Sequence, residues 1–213
     1  MKTYLYSIKF IQNLTLLSGI GIMLILPIVI VFYPQLMSEE TSLRLYDLSH
    51  ITVFFVMCIR PLADIFINVK WIRPLVILRK GIGVLSASIV VSFIFSKIIM
   101  DPSGYMSAFG TLEYWSMTNY ALLAHLADIS AILLLLTSNN LSKRVLGSFW
   151  KTVQKLSYIF FYASSLYVYL SFSNTSVLFS MTIVTGLTVL AYRANRKRIR
   201  EAPAVIMHKP EYK

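Results

Sequence analysis

Two ionisable residues, His125 and Asp128, stand three positions apart inside an otherwise apolar stretch of the chain. Residues three apart share one face of a helix, so the two side chains can act together. Ionisable groups in apolar surroundings are costly and therefore indicate function. Three hypotheses follow: proton or quinone handling with Asp128 orienting a titrating imidazole, a haem ligand at His125 backed by a carboxylate, or a buried pair that hydrogen-bonds to itself and fixes helix register.

The remaining candidates point to less specific chemistry. Arg60 and Asp64 stand four apart, as in a helical ion pair, and a lipid or partner headgroup is the alternative partner. His50 opens an apolar segment and is interpreted as an interfacial residue. Cys58 is interpreted as a small buried residue. His208 lies in the C-terminal tail and carries no site argument.

The elements that must position these groups are membrane helices. Of 213 residues, 57% are hydrophobic and 14% are charged, against roughly 45–50% and about 25% in soluble domains. An ordinary soluble enzyme is therefore excluded. The sequence predicts an all-α integral membrane protein whose residues 1–200 form one domain, followed by a loosely ordered basic cytoplasmic tail, 201–213. A helix crosses a bilayer in about 20 residues, and six spans are predicted near 14–33, 49–68, 74–96, 116–137, 154–172 and 177–192.

The basic residues alternate between the two sides of these spans. When Arg79, Lys80 and Lys155 are counted with the connections that they adjoin, seventeen of the 20 Lys and Arg residues fall on one side and two on the other, and Arg60 lies inside a span. This asymmetry predicts a multi-pass protein of a bacterial-type inner membrane with both termini in the cytoplasm. A nucleic-acid surface would not need such alternation, so nucleic acid is not an expected partner.

Two stretches carry a family resemblance. The first is 59–64 (IRPLAD) followed by 79–83 (RKGIG), and the second is 136–138 (LTS) followed by 146–147 (LG) and Trp150. Together they resemble the ferric-reductase-like transmembrane domain family, and within it the six-helix haem b membrane subunits of bacterial methionine-sulfoxide-reductase systems. The resemblance covers about residues 52–172 and implies a six-helix bundle.

The resemblance also implies where haem-binding histidines should stand. The family pattern places them at positions that are Phe93, Gln154 and Tyr167 in this chain. Phenylalanine has no donor atom for iron, an amide is a poor ligand, and tyrosine is uncommon in this role. The resemblance therefore transfers a fold but not its cofactor. A relocated haem would need His125, with His50 an awkward second ligand near the outer membrane face.

The sequence thus favours a non-catalytic structural or adaptor subunit of a membrane assembly, of redox type, without a cofactor. One alternative is an electron-transfer subunit that holds haem b or a quinone at His125. Another is a proton-linked small transporter centred on His125 and Asp128. The expected partners are the lipid bilayer, other membrane subunits and a separate soluble redox protein, since no nucleotide-binding or hydrolase motif is present.

Overall fold

The computed structural model describes residues 2–201, in which every regular element is helical. The predicted all-α class is confirmed for this range. The predicted tail, with His208, lies outside the described residues except for Glu201. Nine α-helices occur within 2–201: α1 (Lys2–Phe32), α2 (Glu39–Ile65), α3 (Leu78–Met100), α4 (Pro102–Phe109), α5 (Ala121–Thr137), α6 (Asn140–Leu146), α7 (Trp150–Val153), α8 (Leu156–Phe172) and α9 (Thr175–Glu201).

A helix lies at each predicted span, but several helix ends differ from the prediction. α2 begins at Glu39, ten residues early, because Ser38 caps it by accepting a hydrogen bond from the Thr41 amide. α5 begins five residues late, at Ala121, since Tyr120 adopts a left-handed backbone conformation with φ 59° that interrupts the helix. The basic last turn of α9 complements the helix dipole, and this helix runs on to Glu201.

Not every helix is long enough to count as a membrane span by itself. Four are sufficiently long and apolar: α1, α2, the segment Arg73–Met100 and the segment Thr175–Arg200. Helix α5 joined to residues 140–153 makes a fifth candidate, with a bend of 96° between the two parts. Helix α8 is apolar and has 17 residues. The described chain therefore contains four to five candidate spans on length and composition.

Helices α1 and α3 run parallel and approach each other closely. Gln12 of α1 lies beside Gly81 at the start of α3, and Gly19 lies beside Leu85 further along. A Cβ atom on Gly81 would come within 2.7 Å of the Gln12 carbonyl oxygen. Only glycine therefore permits this separation of the two backbones.

Helices α2 and α3 run antiparallel and are joined by a buried serine pair. Ser49 and Ser86 each donate a hydrogen bond to the carbonyl of the other, at 3.1 and 2.8 Å. Nearer the start of α2, the ring of Tyr46 stacks on Phe93 with centroids 4.5 Å apart. The small buried residues Ser86, Ala87 and Ser88 of α3 thus allow these two helices to approach closely.

Contacts between helix ends show which of them lie together at the same end of the bundle. The Arg198 guanidinium donates to the carbonyls of Asp64 and Ile65, so α9 ends beside the end of α2. The Trp150 indole donates to the Thr137 carbonyl at 2.9 Å, so α5 ends where α8 begins. We call the end that carries 66–77, 138–155 and 193–201 the basic end, and the end that carries 33–38, 101–120 and 173–174 the acidic end.

The core lies between five helices, with α3 the most enclosed. Phe161 of α8 and Ala131 of α5 are fully buried within it. Cys58 is buried there too, as predicted, and is a free thiol. The buried cluster consists of Val53, Met57, Cys58, Ala87, Val91, Ala127, Ala131, Leu134, Phe160, Phe161, Ala163 and Val184.

Candidate functional site

The segment 101–120 folds back over the acidic end and positions the candidate site. Asp101 caps α4, its carboxylate accepting a hydrogen bond from the Gly104 amide at 2.8 Å. Two short 3₁₀ turns, Glu113–Trp115 and Thr118–Tyr120, then return the chain to α5. Four ring-bearing residues of this segment therefore face the first turns of α5.

These four residues, which we call the aromatic loop, are Tyr105, Phe109, Tyr114 and Trp115. Their rings pack mostly edge to face, with the Phe109 and Trp115 centroids 5.0 Å apart and those of Phe109 and Tyr114 5.5 Å apart. The Trp115 indole donates to the Phe109 carbonyl at 3.0 Å. The Tyr114 hydroxyl donates to that of Tyr105 at 3.4 Å. Burial and that bond raise the pKa of Tyr114, which keeps its phenol neutral.

His125 lies directly under the aromatic loop. Its ring is parallel to the Tyr114 ring, with centroids 3.4 Å apart and an interplanar angle of 10°. Its Nδ1 atom is buried and has no hydrogen-bond partner among the described residues. A buried polar atom without a partner costs about 1–3 kcal/mol. The fold therefore holds an imidazole nitrogen that can bind a partner which residues 2–201 do not supply.

Both ionisable residues of α5 line the same cavity, about 350 Å³ in volume. Its walls are otherwise aromatic and aliphatic, with Ile94 and Ile98 of α3 opposite Ile129 of α5. No hydrogen bond between His125 and Asp128 occurs in the described chain, so the self-bonding pair does not form here. An apolar cavity with a few convergent polar groups is the usual form of a small-molecule site.

Lys97 is the cation that acts on both cavity residues. It lies near the end of α3, close enough to interact electrostatically with His125 and with Asp128. The site therefore combines one imidazole, one carboxylate and one nearby ammonium group with apolar walls. Such a set can hydrogen-bond a ligand's carbonyl or hydroxyl groups or exchange a proton with it.

The other residues singled out in the sequence do not line this cavity. The Arg60 Nε atom is 3.0 Å from the Asp64 carboxylate, so the predicted helical ion pair is present. His50 stacks on Phe161 with centroids 5.9 Å apart, and its Nε2 atom is buried and has no hydrogen-bond partner in the part of the chain that the structure describes. No contact joins His50 to the imidazole of α5 within residues 2–201.

The three positions at which the family would have haem ligands take part in packing contacts. Phe93 stacks on Tyr46 of α2. Tyr167 meets the edge of Phe172 within α8, with centroids 6.3 Å apart. Gln154 is separate from both, at the basic end, where its amide donates to the Thr137 hydroxyl at 3.4 Å. These residues do not fit a haem, because they offer no imidazole and fill the space with their own contacts.

His125 is also a poor match for a haem ligand. A histidine that ligates a metal usually donates its other ring N–H to a protein group, which fixes the ring and raises its basicity. The Nδ1 atom of His125 has no such acceptor, and Tyr114 covers one face of its ring.

Sequence reasoning missed the role of the aromatic loop. Tyr114 and Trp115 stand just before the predicted span 116–137, and this position alone does not reveal that they pack on an imidazole about ten residues later. The unusual density of rings between 105 and 115 was the available signal.

No family model, curated protein or solved structure matches this chain.

Proposed function

We propose that this chain is a multi-pass membrane protein in which six helices cross the bilayer and both chain ends lie on the basic side. Helices α1 and α3 are parallel, α2 is antiparallel to α3, and α2 and α9 finish at the same end. This alternation is what six successive crossings require. It supports α5 and α8 as spans although each has only 17 residues, about 26 Å of helix.

The distribution of charge supports the orientation. Lys and Arg residues concentrate at the basic end, whereas Glu39, Asp101 and Glu113 lie at the acidic end. Positive loops remain on the cytoplasmic side during insertion. We therefore assign the basic end to the cytoplasm of a bacterial-type inner membrane.

Labelling of single cysteines in intact cells tests this topology. In a Cys58→Ala background, an impermeant thiol reagent should label Ser103→Cys and Asn174→Cys at the acidic end. It should label Ser142→Cys only after the membrane is opened. Labelling of Ser142→Cys in sealed cells would refute the assignment, as would protection of both acidic-end positions.

Within this topology, the favoured function is a structural or adaptor subunit of a larger membrane assembly, of redox type, that works without haem. The carrying observation is the Tyr46–Phe93 stack, which occupies the place where the family resemblance puts an imidazole. A domain that keeps its helices but packs its cofactor site with rings retains a surface for neighbouring subunits. Its basic cytoplasmic loops add complementary charge for a soluble partner.

Gentle solubilisation followed by purification and absorption spectroscopy tests this function. The preparation should show no Soret band and should contain further subunits in fixed ratio. A Soret band that disappears in His125→Ala would replace the proposal by the haem b alternative. A protein that purifies alone as a stable monomer would contradict the adaptor function.

The cavity at His125 favours a second candidate, a site for a quinone or a proton-linked solute. The unpartnered Nδ1 atom and the Asp128 carboxylate share apolar walls of suitable size for a small ring. Extraction of the purified protein should then yield quinone, and His125→Ala should lower its amount. For transport, Asp128→Asn should abolish pH-dependent uptake, and unchanged uptake would dismiss that activity.

A further inference from the structure

An arginine near the start of α3, Arg79, lacks a hydrogen-bond partner within residues 2–201. The Arg79 guanidinium makes no hydrogen bond with residues 2–201, and its Nε atom is buried. A guanidinium carries five N–H donors in a planar fork and remains charged at any physiological pH. Burying part of it unpaired is unfavourable unless a further group accepts its hydrogen bonds.

Two other arginines converge on the same place from distant parts of the chain. Helices α2 and α3 pack antiparallel, so Arg60 and Asp64, near the end of α2, lie at the same end of the bundle as Arg79, near the start of α3, and interact with it electrostatically. Arg198 of α9 donates to the Asp64 carbonyl. The Asp64 carboxylate is already paired with Arg60. Three guanidinium groups therefore lie around Asp64, whose carboxylate is paired with Arg60 alone among them, which leaves a local excess of positive charge.

Exposed apolar side chains border this arginine cluster, defined as Arg60, Arg79 and Arg198. Phe66 and Ile67 follow α2 and are 47% and 44% exposed, and Ile199 follows Arg198 with 77% exposed. Guanidinium groups beside exposed apolar side chains can bind a molecule that has an anionic headgroup and a hydrocarbon tail, because each part of the molecule then has a suitable contact. A free inorganic anion would use only the arginines.

We propose that the arginine cluster binds the phosphate of an anionic phospholipid, with Arg79 and Arg60 as its hydrogen-bond donors and Arg198 holding the end of α2 in position. Planar guanidinium groups bind phosphate through paired, charge-assisted hydrogen bonds. Basic pockets between helices on the cytoplasmic side are suited to acidic headgroups. The inference rests on the proposed membrane topology, which puts the basic end at the headgroup layer of the inner leaflet.

Lipid titration of the purified full chain in neutral detergent tests the site. Native mass spectrometry should detect phosphatidylglycerol bound more tightly than phosphatidylcholine. Arg79→Gln should weaken phosphatidylglycerol binding about tenfold, the loss of a charge-assisted contact. The matched control is Arg144→Gln, which removes the same charge from an exposed position in α6 and should change binding less than twofold.

Four results would overturn the proposal. They are equal losses in the two variants, equal binding of the two lipids, an unchanged affinity in Arg79→Gln, and displacement of the lipid by millimolar inorganic phosphate, which would indicate a small-anion site. If Arg79→Gln does not fold, Arg60→Gln replaces it, because Arg60 is exposed; it should weaken phosphatidylglycerol binding severalfold, and unchanged binding counts against the site. Cysteine labelling is independent of this titration, so failure of the topology and failure of the lipid site are distinguishable.

Discussion

The two ends of the bundle hold unpaired polar groups in opposite ways. At the acidic end, one imidazole nitrogen lies beneath the rings of the aromatic loop, in a residue that lines a partly open apolar cavity. At the basic end, an unpaired guanidinium lies among other cations, beside apolar side chains that point outward. The first arrangement suits a small neutral ligand inside the protein, and the second suits an anion that arrives from the membrane.

The difference shows that the chemistry of an unpaired side chain, together with its surroundings, decides what it can bind. Both groups cost stability in the free chain, because each lacks the hydrogen bonds that water would supply. An imidazole can reduce this cost by remaining neutral. A guanidinium cannot, so the basic end needs an external anion, whereas the acidic end can remain empty.

The largest expected effect tests how closely α1 packs on α3 near the basic end. Gly81→Ala places a methyl group against the Gln12 carbonyl and the Thr15 hydroxyl. It should lower the free energy of unfolding by about 1–3 kcal/mol, the usual cost of overpacking. The control is Gly83→Ala, which meets nothing within 4 Å and should stabilise the helix by about 0.5–1 kcal/mol. Chemical unfolding in detergent measures both, and equal effects would contradict the close packing of α1 on α3.

A smaller effect is expected from removing the one carboxylate of the arginine cluster. Asp64→Asn leaves Arg60 without its partner among like charges and should cost about 1–2 kcal/mol, less than a fully buried pair because the carboxylate is partly exposed. Glu40→Gln removes the exposed Glu40–Arg44 pair and should cost less than about 0.5 kcal/mol. High salt should reduce the difference between the two variants, and a difference that grows with salt would argue against charge repulsion.

A gain in stability is expected at the acidic end. His125→Phe keeps a ring against Tyr114 but removes the unpartnered nitrogen. It should therefore raise the free energy of unfolding of the ligand-free protein by about 1 kcal/mol. Thermal unfolding should show this gain as a higher melting temperature. His50→Phe removes another unpartnered nitrogen and should stabilise similarly. If the cavity holds a quinone, only His125→Phe should also abolish the retention of that quinone by the purified protein. A loss of stability in both variants would show that these nitrogens are already satisfied.

The smallest effect concerns the aromatic loop. Tyr105→Phe removes a long hydrogen bond of 3.4 Å to Tyr114 while its ring remains in place. The change should cost less than about 0.5 kcal/mol, because ring packing holds the loop. Differential scanning calorimetry should compare this variant with Tyr114→Leu, which removes the stack on His125. The comparison separates the contribution of the hydrogen bond from that of ring packing. A larger loss in Tyr105→Phe would mean that hydrogen bonding holds this end.

Hydropathy and charge predicted the parts of the fold that depend on local sequence. They placed a helix at each expected position, and the spacing of Arg60 and Asp64 predicted their ion pair. Helix ends were harder, because α2 depends on the Ser38 cap and α5 on the backbone of Tyr120. Neither signal is contained in a count of apolar residues.

The sites depended on contacts between distant segments, which no local pattern contains. The stack of Tyr114 on His125 requires the segment after α4 to turn back over the bundle. The meeting of Arg198 with the end of α2 joins residues 134 positions apart. Sequence reasoning identified His125 and Asp128 as candidates, but the cavity between them follows from tertiary packing alone.

The glycine-mediated docking of α1 bears on how the chain is made. α1 packs on α3 rather than on α2, its neighbour in sequence. A nascent chain leaving the ribosome therefore inserts its first hydrophobic segment long before residue 78, where the docking helix begins, has been synthesised. Until then, lipid or the insertion machinery must shield the face of that segment that carries Gln12 and Gly19, so early biogenesis is the stage most sensitive to changes there.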